Sequence, residues 1–174
     1  INLSLAFEVL DYALLSAPGA PLKQALLDAK IGKDIYGSFE DGIKQTYFSI
    51  VAKGANLSQK EEFVKVIRDT LTKIMEEGID KKAVTAGINY YEFRFREADF
   101  SSYPKGLMYG LDILSSWLYD DTKPFCEVQL LEGFEFLKKA LEEGYFEELI
   151  RKYLLDNTHG AILSLVPEKG LAAK

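Results

Sequence analysis

Residues 34–40 read DIYGSFE, and residues 45–53 read QTYFSIVAK. Tyr47, Phe48, Ile50 and Val51 crowd the second stretch with aromatic and β-branched side chains, which suit a pleated, half-buried surface. Asp41-Gly42 stands between the two as a turn signal, so the pair predicts an antiparallel hairpin. Gly37 interrupts the first strand. A glycine there marks either a bulge or a close approach by another backbone.

The sequence around the hairpin has a different period. Upstream, Leu3, Ala6, Phe7, Leu10, Ala13 and Leu14 recur at three- and four-residue spacing, which predicts a helix over 3–15. Ala17-Pro18-Gly19-Ala20-Pro21 breaks it, and Pro21 suits the first position of a second short helix over 22–30. Downstream, Ser58 and Glu61 have the spacing of a capping box before a helix bearing Phe63, Val66, Ile67, Leu71, Ile74 and Met75. Gly78 closes that helix and Asp80 caps the next, on which Glu92 and Arg96 are spaced to pair. Pro104 separates it from a helix through Leu107, Leu111, Leu114 and Leu118. Two more helices follow near 128–143 and 145–155, split by Gly144, and a last strand is expected over 161–166. The fold class is therefore α+β, a mostly antiparallel sheet covered on one face by helices. Three strands are few for so many helices, so either a further strand lies unread in the chain or the sheet is completed by residues outside it.

The chain has 174 residues, 48% hydrophobic and 28% charged, the balance of one globular domain. We assign residues 1–167 to a single domain and 168–174 to a linker stump. The start at Ile1, rather than Met, is the mark expected of a segment excised from a longer chain, and Ile1–Leu10 lacks the basic leader of an export signal. No apolar run is long enough to cross a membrane. The net charge of −6 removes the general attraction to phosphate backbones, so no nucleic-acid partner is expected. Cys126 is the only cysteine, which excludes an internal disulfide and fits a reducing, cytoplasmic setting.

Few residues carry chemistry. His159 is the only histidine, so a zinc site built from two histidines and a carboxylate cannot be assembled, and no metal ligand or catalytic residue is assigned. Glu61/Glu62, Glu76/Glu77 and Glu142/Glu143 read as solvated surface. Tyr90, Tyr91, Phe93, Phe95 and Phe100 read as core. The remaining candidate is Ile35, Tyr36, Gly37 and Ser38, a strand edge on which an extended peptide could pair main chain to main chain.

The motifs in order resemble the presequence-protease branch of the insulinase (pitrilysin) family of zinc peptidases. The likeness rests on residues 17–26 (APGAPLKQAL), 32–38 (GKDIYGS), Phe48-Ser49-Ile50, 89–97 (NYYEFRFRE) and 103–107 (YPKGL). The resemblance implies the non-catalytic second domain of the N-terminal half, without its opening strand or strands. It further implies that zinc and the catalytic glutamate lie on another domain of the same polypeptide. In insulin-degrading relatives a strand of this domain anchors the substrate's N-terminal end, and an ungapped alignment sets it on Ile35–Ser38. The function so implied is to enclose and bind unfolded peptides within a zinc metalloendopeptidase, with the other domains of the polypeptide as partners. The alternative is a catalytically dead scaffold or binding subunit of the same fold.

Overall fold

The computed structural model describes residues 2–98 and 100–170, with Glu127 by its backbone alone. Its centre is a helix, α1 (Asn2–Asp11), which continues as a π-helical turn over Tyr12–Ser16. The wider turn is closed by the Ala17 N–H donating to the Tyr12 carbonyl at 2.7 Å. Leu5, Ala6, Val9, Leu10, Ala13, Leu14 and Leu15 are all but excluded from solvent. Apolar residues around most of its circumference make α1 the axis on which the other elements pack.

On one side lies the hairpin, β1 (Asp34–Glu40) and β2 (Tyr47–Lys53), paired antiparallel from Asp34↔Lys53 to Glu40↔Tyr47. The register is unbroken, so Gly37 makes no bulge. Ile35, Gly37 and Phe39 alternate onto the inner face with Phe48, Ile50 and Ala52, as the two-residue period requires. Phe7 ties this face to α1. Its ring stacks on Phe39 at 5.3 Å, meets Phe48 at 6.0 Å and takes Tyr153 edge-on at 5.7 Å. In chain order α2 (Pro21–Asp28) links α1 to the hairpin, opened by Pro21 at its first turn as expected.

The other helices are α3 (Lys60–Glu77), α4 (Lys81–Glu97), α5 (Lys105–Trp117), α6 (Leu131–Ala140) and α7 (Tyr145–Leu149), the last extended by a π-helical turn over Ile150–Leu155. Helices α4 and α6 approach α1 closely, and each does so at a glycine. A Cβ on Gly87 would lie 3.0 Å from Tyr12 Cδ1, and one on Gly133 would lie 3.1 Å from Leu5 Cδ2. Phe134, Phe146, Leu137 and Ile150 fill the space around them. Each such side chain contributes roughly 1.5–3 kcal/mol on burial.

Two expectations are corrected. The reciprocal cap before α3 is made by Asn56 and Gln59, not Ser58 and Glu61: the Asn56 N–H donates to Gln59 Oε1 at 3.1 Å. A 3-10 turn over Leu57–Gln59 leads into the helix and moves its first free amides upstream. The expected last strand over 161–166 forms no regular element and has no strand partner among the described residues, and Leu163 and Leu165 are 88% and 98% exposed. Its composition suits a strand, but a strand needs a neighbour to take its amides and carbonyls. Of the tail assigned as a stump, residues 171–174 lie outside the described residues.

Candidate functional site

The four residues singled out lie within β1 and divide between its two faces. Ile35 is fully buried and belongs to the core. Tyr36 is 48% exposed on the outer face. Ser38 shares that face with its cross-strand partner Ser49, the two hydroxyl oxygens 3.0 Å apart. Gly37 faces inward. A Cβ there would run into Leu15 Cδ1, and it would also lie 2.5 Å from Asp11 Oδ1 and 3.0 Å from the Ser49 carbonyl. The close approach that the glycine permits is thus made by the chain's own central helix. The sheet has two strands, so the other long edge of β1 pairs with no strand among the described residues.

Asp11 did not stand out in the sequence. It sits on the polar side of the α1 repeat, and nothing local announces that β1 crosses above it. Its Oδ1 is buried without a hydrogen-bond partner, while Oδ2 accepts a long bond of 3.4 Å from Ser16 Oγ. Burial pushes its carboxyl above the ordinary value, and the Ser16 bond offsets part of that. The Tyr91 phenol nearby is pushed up as well, first by burial and then by Glu8 and Asp11. At the end of the hairpin, burial also raises Asp41.

The other candidates are spread apart. His159 lies in the exposed segment after α7, where its backbone N–H donates to Asn157 Oδ1 at 2.8 Å. Cys126 is half-buried in a 3-10 turn. The donor set does not fit a zinc ion: one histidine is present, and no three His, Cys, Asp or Glu side chains converge among the described residues. The three glutamate pairs are exposed, and Glu142 pairs with Lys81 at 2.5 Å. The aromatic cluster divides. Tyr91 and Phe95 pack on the core, Tyr90 stacks on Tyr12 at 5.4 Å, and Phe93 is 63% exposed. What β1 offers is therefore a main-chain edge, with its inner face packed on α1 and a polar and aromatic outer face.

The profile of the peptidase M16 inactive domain matches residues 2–91, from α1 through the hairpin to most of α4. The chain belongs to this family. Among the relatives of this M16 domain is "Protein HypA" of Clostridium perfringens, 47% identical over 170 residues, covering 98% of the chain and 17% of that protein. Presequence protease 1 of Arabidopsis thaliana is 35% identical over 173 residues, covering 97% of the chain and 16% of that protein. The M16 domain thus spans about a sixth of the length of the curated relatives it matches. Among solved structures it is similar to the inactive peptidase domain of a protein assigned as a zinc protease from Bordetella parapertussis. That match has a TM-score of 0.60 at 10% identity, covers 87% of this chain and 75% of that one, and speaks to the fold alone.

Proposed function

We propose that this M16 inactive domain is the non-catalytic, substrate-enclosing and peptide-binding part of a longer zinc metalloendopeptidase, and that the outer edge of β1 at Tyr36–Ser38 receives extended peptide. The observation that carries the reading is the unpaired edge of β1 on a strand whose inner face is locked to α1 through Gly37 and Phe39. An edge held rigid presents main-chain donors and acceptors without first having to order them, which lowers the entropic cost of adding a strand. Ile35 and Gly37 act through backbone alone, while Tyr36 and Ser38 offer side chains to the peptide's neighbouring residues. In this reading zinc and the base that activates its water belong to another domain of the polypeptide.

Main-chain pairing is tested on the peptide, leaving the protein unaltered. A disordered 20-residue peptide is titrated into the longer polypeptide, and the titration is repeated with alternate peptide amides N-methylated. Main-chain pairing predicts a loss of affinity of about fivefold for each bond removed, one net hydrogen bond being worth about 1 kcal/mol. Equal affinity for both peptides rejects the strand-edge site. The isolated chain is expected to bind no stoichiometric zinc and to cleave nothing. One zinc per chain together with turnover would overturn the non-catalytic assignment.

A further inference from the structure

Helix α5 (Lys105–Trp117) has no buried residue, although it carries Leu107, Leu111 and Leu114, with Leu118 at its C-terminal cap. Leu107, Leu111, Leu114 and Leu118 follow at alternating four- and three-residue spacing and form one stripe. They are 53%, 51%, 44% and 72% exposed. The chain's own contacts lie on the opposite side of the helix. Tyr109 meets the Phe100 ring edge-on at 5.2 Å, and Ser116 Oγ donates to the Pro124 carbonyl at 3.3 Å. Single exposed leucines are ordinary, but a continuous stripe of four marks a surface that something covers.

Beside this stripe stand Gly106 and Gly110, one helical turn apart in the same row as Leu114 and Leu118. Glycine inside a helix lowers its stability relative to alanine, so it calls for a compensating reason. The other helical glycines have one: Gly87 and Gly133 admit Tyr12 and Leu5 where helices close on α1. A Cβ on Gly106 or Gly110 would meet nothing within 4 Å. Two glycines leave a groove at the start of α5 and the leucines raise a ridge after it, the relief into which a second helix packs.

We infer that this face of α5 is the seat of an apolar helix from the polypeptide flanking the domain. The relatives are chains about six times longer, and their matches run through α5. A flanking helix is held at high effective concentration, which favours it over a second copy. Lys105 and Asp112 are the only charges on α5, so the face is matched to an apolar helix and not to a charged peptide. The inference rests on the reading of this chain as part of a longer peptidase.

The test places a photo-reactive benzoyl-phenylalanine at Leu111, and separately at Leu114, in the longer polypeptide. Irradiation is expected to give an intramolecular cross-link whose partner peptide maps outside residues 1–174. A cross-linked dimer would assign the face to a second copy and overturn the inference. Cross-links confined to residues 1–174, or none, would overturn it as well. Peptide affinity measured on the same samples separates this failure from failure of the strand-edge site.

Discussion

Leu15 occupies the space that a side chain on Gly37 would need, so the π-helical end of α1 and the middle of β1 touch where a β-carbon is missing. The contact packs the strand against the helix and makes any side chain at the glycine costly. Any probe of β1 as a peptide edge must therefore leave Gly37 alone.

Gly37→Ala is expected to destabilise the domain by about 1–3 kcal/mol, the usual cost of overpacking a filled site. Urea unfolding should show a lower midpoint at unchanged slope. Adding Leu15→Ala should recover part of the loss, because the two changes share one space. Equal stability of Gly37→Ala and wild type would deny the contact.

Asp11 lies beside the same glycine and carries a pH signature. Burial raises its folded-state pKa above the ordinary value of 3.8, so the folded chain holds the proton more tightly than the unfolded one. Its favourable contribution is complete below that ordinary value and is lost as pH rises through the raised one. Asp11→Asn, which cannot ionise, should gain on wild type across that window and hold a constant lead above it. Parallel stability–pH curves for the two proteins would contradict this assignment.

Glu92 joins α4 to α6, accepting from Lys138 at 2.7 Å and from Arg96 at 2.6 Å. Hydrogen bonds from Lys138 and then Arg96 hold its carboxyl below the ordinary range. That stability is present above the ordinary carboxylate value and lost as pH falls through the lowered one. Glu92→Gln should cost about 1 kcal/mol near neutrality, since Lys138 and Arg96 are partly in water and screened. The difference should close in acid, measured by thermal unfolding at graded pH.

Asp80 caps α4 by accepting from the Lys82 and Ala83 amides at 2.8 and 3.3 Å. Asp80→Ala should cost about 1 kcal/mol, while Asp80→Ser should keep most of the cap. Amide hydrogen exchange in the first turn of α4 reads the difference. Equal protection in both variants would remove the cap from the account.

Local features were legible in the sequence. The limits of β1, the break at Pro104, the Asp80 cap and the Glu92–Arg96 pair each depend on residues within a turn or two of one another. The misplaced cap of α3 was local too, but two overlapping patterns competed and a 3-10 turn decided between them. The segment 161–166 has the composition of a strand, yet composition supplies no partner for its backbone.

The sequence by itself determined the α+β class, the order of elements up to α7 and the impossibility of a two-histidine zinc site, since these follow from periodicity and from one histidine in the chain. It also marked Gly37 as a position under constraint. Only the tertiary structure decided what that constraint is. Leu15 and Asp11 reach Gly37 across the core, and the approach of one element to another through space leaves no trace in the spacing along either.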